Sequence, residues 1–234
     1  MSIGIGISKK DGIAINRKAL TIEQNIALSK KHFVGMVYTG LRMEGRNITF
    51  SKTEVILKGI NVSDVKIDDI CAILGMKRAL QEFFKHVLTD ELNLDLLKKF
   101  NYHIALDEAI ESGVLRTGRT GISGTDYEPP MIREDEVLAE LAGIFEGNAA
   151  DELSRALDLF LYLIRKQVFW DGNKRTALLG ANYLLTRRGM GVLEIKEKDV
   201  LSFAELLTDF FNTGEKRAIK NFLRTNRIWT IDFY

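Results

Sequence analysis

Val168-Phe169-Trp170-Asp171-Gly172-Asn173-Lys174-Arg175-Thr176-Ala177-Leu178-Leu179 is the stretch on which the reading of this chain turns. A strongly apolar helical run, Leu157 to Ile164, precedes it, and a second, Ala177 to Leu185, follows directly. The polar Asp-Gly-Asn-Lys-Arg is therefore a tight turn at a helix N-terminus. Such a turn suits anions, because the first backbone N–H groups of a helix have no helical partners and the helix dipole is positive there. Gly172 lets the backbone take a positive φ or approach a ligand closely, Lys174 and Arg175 add charge, and Asp171 could hold a Mg²⁺ that shares phosphate oxygens with a nucleotide. The same residues also describe a plain helix–helix turn, with Asn173 as N-cap and solvated basic residues behind it. Taken alone, they leave both readings open.

Working outward, the chain is mostly helical. Ile22, Ile26, Ala27, Phe33, Val34, Val37 and Leu41 recur at helical spacing after Thr21, which predicts one helix running to about Met43. Further helical patterns cover about 63–88, 91–111, 133–146, 150–167, 174–188, 197–211 and 215–225. Residues 3–7 and 12–16 alternate with period two around Lys9-Lys10-Asp11-Gly12 and predict a small N-terminal hairpin. The segment Gly118 to Glu128, dense in Gly, Thr and Ser and followed by Pro129 and Pro130, is expected to be an exposed hairpin or loop of the kind that carries binding. Residues 212–234 predict a last helix and a short extended tail.

Composition narrows the function classes. Lys+Arg 33 against Asp+Glu 32 leaves a net charge of +1, so no global field would hold the chain on nucleic acid or an anionic membrane, and any phosphate recognition must be local. The single cysteine, Cys71, excludes an internal disulfide and a cysteine-built metal site, and its apolar neighbours Ile70, Ala72, Ile73 and Leu74 mark it as a small core residue. No window approaches the roughly 20 apolar residues of a membrane helix, and Met1 to Ile7 lack a basic leader. A cytoplasmic protein is the expectation.

The stretch around Asp171 resembles the signature of the Fic family, His-x-Phe-x-(Asp/Glu)-Gly-Asn-Gly-Arg-x-x-Arg, in which an anion-binding loop joins two helices. Phe169, Asp171, Gly172, Asn173 and Arg175 match it. Gly113-Val114-Leu115-Arg116 and the loop to Pro130 resemble the family's flap, a β-hairpin that holds the target by strand addition, which places Arg119, Thr120, Gly121, Ile122, Ser123, Gly124 and Thr125 on the target-binding face. Met43-Glu44-Gly45-Arg46-Asn47-Ile48-Thr49 resembles the inhibitory segment that many Fic proteins carry, with Glu44 in the inhibitory position. By itself Glu44-Gly45 also reads as a helix C-terminus with Gly45 following it. The resemblance implies an all-α fold, a helical bundle with a short β-hairpin flap. Residues 1–60 would hold the N-terminal hairpin and the inhibitory-type helix, and 61–234 the Fic domain with C-terminal helices, as one compact unit.

It further implies ATP as substrate or ligand, Mg²⁺ on Asp171, phosphates on Gly172, Asn173, Lys174 and Arg175, and transfer of AMP to a Ser, Thr or Tyr hydroxyl of a protein target. Three departures bear on that chemistry. Gln167 stands at the position of the catalytic histidine, Lys174 replaces a glycine, and Leu178 replaces the second arginine. Gln167, Phe169 and Asn173 are thus the catalytic-site candidates, but a glutamine amide has no usable basic site, and loss of a general base typically costs about 10²–10⁴ in rate. His32, His86 and His103 lie far away in sequence and nominate no replacement. The Asn-Lys-Arg-Thr-Ala-Leu wording is similar to the Doc branch, which phosphorylates its target, so the transferred group is open. The inhibitory segment departs too, with Gly40 four residues before Glu44 where Ser or Thr is usual. Glu44 would have to pair with Arg175 or Lys174, since Leu178 has no charge. The alternative to a weakened nucleotidyltransferase is a pseudoenzyme that binds a nucleotide or a protein partner; a homo-oligomer is left open.

Overall fold

The two helices on either side of the signature turn form the centre of the molecule. The first, α7 (Glu152–Lys166), starts at Asp151, whose carboxylate accepts the Ser154 N–H at 2.6 Å, and it buries Ala156, Leu157, Leu159, Phe160, Leu161, Leu163 and Ile164. The second, α8 (Asn173–Arg187), is buried on nearly every side, and its buried polar side chains Arg175, Asn182 and Thr186 are all hydrogen-bonded. In this computed structural model, residues 8–10, 13–15, 19–147, 151–225 and 228–230 are described.

Around α7 and α8 the chain lays α1 (Ile22–Lys31), α2 (Phe33–Met43), α3 (Phe50–Leu57), α4 (Ile67–His86), α5 (Leu94–Ala105), α6 (Glu134–Glu146), α9 (Val200–Thr213) and α10 (Arg217–Arg224). Helix α8 touches α1, α2, α4, α5 and α7, so the elements that precede the signature by more than a hundred residues pack on the same rod. Strand content is small. Strands β1 (Ser8–Lys10) and β2 (Ile13–Ile15) pair antiparallel with Ser8 opposite Ile15, and β3 (Val192–Leu193) pairs antiparallel with β4 (Ile228–Trp229). Strand β2 falls within the predicted 12–16 and β1 follows directly on the predicted 3–7; residues 3–7, 12 and 16 lie outside the described residues.

Several boundaries differ from the sequence reading, each for a tertiary reason. The predicted 21–43 helix is broken at His32, whose Nδ1 lies 2.6 Å from Glu194 Oε2; the Glu194 carboxylate in turn rests against Gly35 in the first turn of α2. The 91–111 pattern yields a helix ending at Ala105, because the chain beyond it is drawn onto Arg175, which donates to Ile104 O and Glu108. Helix α3, absent from the sequence reading, begins at Thr49, whose hydroxyl accepts the Lys52 N–H. Cys71 is half-buried on α4 and not a core residue. No helix among the described residues is long and apolar enough to cross a membrane.

Candidate functional site

The end of α7, the start of α8, the end of α2 and the 117–130 loop meet at one cleft. Helix α7 terminates at Gln167, which adopts the left-handed conformation (φ 50°, ψ 60°) and is the only non-glycine residue with positive φ among those described. A glutamine there carries on the order of 1 kcal/mol of backbone strain. Its side chain is engaged at both ends: Nε2 donates to Ile164 O at 2.6 Å and Oε1 accepts from Asn173 Nδ2 at 3.0 Å.

Asn173 closes the turn. Its Oδ1 accepts the Phe169 N–H at 2.9 Å and its Nδ2 donates back to Phe169 O at 2.9 Å, while the Phe169 ring is fully buried. The expectation that Asn173 caps the helix is corrected: the N-cap is Gly172 (φ 70°), Asn173 is the first helical residue, and no side chain caps α8. The asparagine is instead spent on Phe169, which leaves the first-turn N–H groups of α8 without a side-chain acceptor. Glycine is required at 172, since a Cβ would lie 2.7 Å from Ile104 Cγ2 on α5. Asn101 on α5 fixes the turn from behind by donating to Asp171 O at 2.8 Å.

The two cations of the turn have separate fates. Arg175 is buried and donates to Glu108 and to Ile104 O, and Glu108 is further bound by Arg46, itself 3.0 Å from Asp69. Lys174 reaches the cleft, with its Nζ 3.4 Å from Glu44 Oε2; Glu44 Oε1 also lies 3.5 Å from Arg175 Nε. Glu108 went unnoticed in the sequence because it stands 67 residues from Arg175 and no motif marks it. Leu178, at the second-arginine position, is fully buried.

The cleft has a volume of about 300 Å³ and its wall gathers Glu44, Gln167, Asp171, Asn173 and Lys174 on one side with Thr120, Gly121, Ile122 and Ser123 on the other, and Trp170 between. Gly124 and Thr125 line an adjoining open depression; Arg119 is exposed and lines neither. Phe169 and Arg175 are buried and do not line the cleft. As to a metal, the described residues contain no group of three or more His, Cys, Asp or Glu side chains set to hold one. Asp171 is half-exposed and its Oδ1 also accepts the Gly172 N–H. A single carboxylate of this kind fits Mg²⁺ only when phosphate oxygens complete the shell, as Mg²⁺ commonly does in nucleotide sites.

The loop over the cleft differs from the hairpin expected. Apart from the isolated bridge Leu115 to Phe169, no strand pairing occurs in 115–133; the turn at its tip is closed by the Thr125 N–H to Ile122 O at 3.2 Å. The carbonyls of Gly118 and Pro130, at the two ends of the loop, are both taken by the buried Arg116 guanidinium instead of by backbone donors, and Pro129 and Pro130 have no N–H to offer. Arg116 also donates to Gln167 O and Lys166 O, and burial pushes its guanidinium down from its ordinary value, with Tyr127 opposing. The far limb is held by Tyr127, which stacks on Phe211 and lies under the Arg165 guanidinium at 4.1 Å. The histidines lie elsewhere: His32 on Glu194, His86 on Asp90, and His103 on α5, its ring held below the usual range by burial.

Residues 91–185, which carry the turn, α7 and the loop over the cleft, match the model of the Fic/DOC family. The chain is 28% identical over 226 residues to a protein adenylyltransferase Fic of Drosophila willistoni, covering 91% of this chain and 44% of that protein. Against the Drosophila persimilis protein of the same name it is 27% identical over 97% of this chain and 45% of the relative. The chain thus spans about half the length of the curated relatives it matches. Among solved structures, Fic-1 (residues 134–508) of C. elegans superposes with a TM-score of 0.69 at 21% identity, covering 86% of this chain and 61% of that one. A Fic-domain-containing signalling protein of Bacteroides thetaiotaomicron does so with a TM-score of 0.68 at 18% identity, over 88% and 85%. At those identities the likeness is one of fold.

Proposed function

We propose that this chain binds the phosphates of ATP at the start of α8 and that any transfer of AMP or phosphate to a protein hydroxyl is strongly weakened by Gln167. The observation that carries the reading is the cleft itself, where Lys174, Asp171 and the uncapped N-terminus of α8 face the loop that would present a target. Lys174 is the cation available to a phosphate. Arg175 holds the turn in shape through Glu108 and adds positive potential from within. Mg²⁺, when bound on Asp171, would neutralise phosphate charge.

In a transfer to a hydroxyl, the oxygen attacks phosphorus, the bond to the leaving phosphate group breaks, and the hydroxyl proton must go elsewhere. With one hydrogen and one lone pair of its amide already used by Ile164 and Asn173, Gln167 keeps one donor and one acceptor for orienting the hydroxyl, but cannot take its proton. The proton would leave late, to a phosphate oxygen, which makes the step slow.

The second reading is a pseudoenzyme that binds nucleotide or protein without transfer. It is favoured by the engagement of the Gln167 amide in the turn and by Glu44 lying against Lys174, where a phosphate would otherwise sit. Calorimetric titration with Mg-ATP separates the possibilities. Saturable binding that is lost in Asp171→Ala supports the proposal, and absence of binding by the wild type overturns it. Gln167→His, incubated with ATP labelled at the α- or γ-phosphate, then reports which group is transferred; no label from either position in a protein that binds Mg-ATP favours the pseudoenzyme.

A further inference from the structure

We infer that Arg116 is a positioning residue that latches the 117–130 loop to the backbone of Gln167, and so sets how far a target laid along the loop stands from the phosphate turn. This rests on the proposed reading for its functional meaning, but the latch is visible in geometry alone. Arg116 is 1% exposed, and every hydrogen-bond partner of its guanidinium is a backbone carbonyl: Gln167 and Lys166 at the end of α7, Gly118 and Pro130 at the two ends of the loop. Its own N–H donates to Val168 O at 3.0 Å, next to the Leu115–Phe169 bridge.

A buried guanidinium is ordinarily paired with a carboxylate. Here the compensation comes from the negative end of the α7 dipole, to which Lys166 O and Gln167 O belong. The planar fork matters as much as the charge, since only a guanidinium can reach carbonyls on several sides at once in fixed directions. One side chain therefore holds Gln167 in its left-handed conformation and gathers both loop ends over it. Trp170 completes the arrangement from below: a Cβ at Gly118 would lie 2.7 Å from Trp170 Cη2, so the indole is seated directly against the loop's first limb. The far limb is held separately by Tyr127 on Phe211 and Arg165, so release of Arg116 would free the limb from Gly118 towards the tip.

Because the chain has only two tryptophans, Trp170 can be read alone in a Trp229→Phe background. In that background, Arg116→Met and Arg116→Lys are expected to move Trp170 emission to longer wavelength and raise its quenching by acrylamide. Tryptic cleavage at the exposed Arg119 is expected to accelerate about tenfold, as cleavage follows the open population. Unaltered emission and cleavage in folded Arg116→Met overturns the latch; unaltered behaviour in Arg116→Lys overturns the requirement for the planar fork. Loss of the cooperative melt in Arg116→Lys also overturns the latch, by assigning Arg116 to the fold. If the wild type fails to bind Mg-ATP, the proposed function falls while emission and cleavage still decide the latch.

Discussion

The signature turn and the loop above it face each other across one cleft and are built on opposite principles. Residues 169–175 are fixed from all sides: Phe169 in the core, Asn173 bonded to both the N–H and the carbonyl of Phe169, Gly172 against Ile104, Asp171 O on Asn101, Arg175 on Glu108. The 117–130 loop is held at its ends by Arg116 and by Tyr127 on Phe211, with little between. A rigid turn beside a tethered loop is the division of labour that the proposed function would require, one side to place phosphate and the other to accommodate a partner.

The contrast can be broken or sharpened by substitution, and the largest effect is expected at Glu108. Glu108→Ala strands a buried guanidinium and should lower unfolding free energy in urea by about 3–5 kcal/mol, whereas Asp126→Ala on the exposed loop should stay within about 0.5 kcal/mol. Next come paired glycines. Gly172→Ala must accept both a positive φ and a contact with Ile104, and should cost about 2–3 kcal/mol; Gly121→Ala, with open space around its Cβ, should be neutral. Equal costs for the two would abolish the distinction between turn and loop. Tyr127→Ala removes a stacking and a cation–π contact, for about 1 kcal/mol by thermal melt, but should raise tryptic cleavage at Arg119 disproportionately. The smallest change is expected for Gln167→His, within about 0.5 kcal/mol, because histidine is among the side chains that tolerate the left-handed region.

What could be read in advance follows the same division. The helices flanking the turn were legible because their apolar periodicity is local, and the turn because Gly172, Asn173 and Arg175 lie within four residues of one another. The break at His32, the early end of α5 and the missing hairpin were not, since each is decided by a partner far along the chain: Glu194, Arg175 and Arg116 with Pro130. The N-cap reading of Asn173, one of the two left open, fails for a subtler reason. The asparagine preference for N-caps is real, but a bond back to Phe169 closes the whole turn, and that satisfied two backbone groups in place of one.

The backbone at Gln167 carries a consequence for what the position can accept. The backbone at that position keeps a conformation that suits histidine better than glutamine, and in the genetic code the two residues differ by a single third-base change. The main chain thus already holds, independently of the side chain, the conformation a histidine would adopt there. An exchange between the two residues would need no rearrangement of the fold.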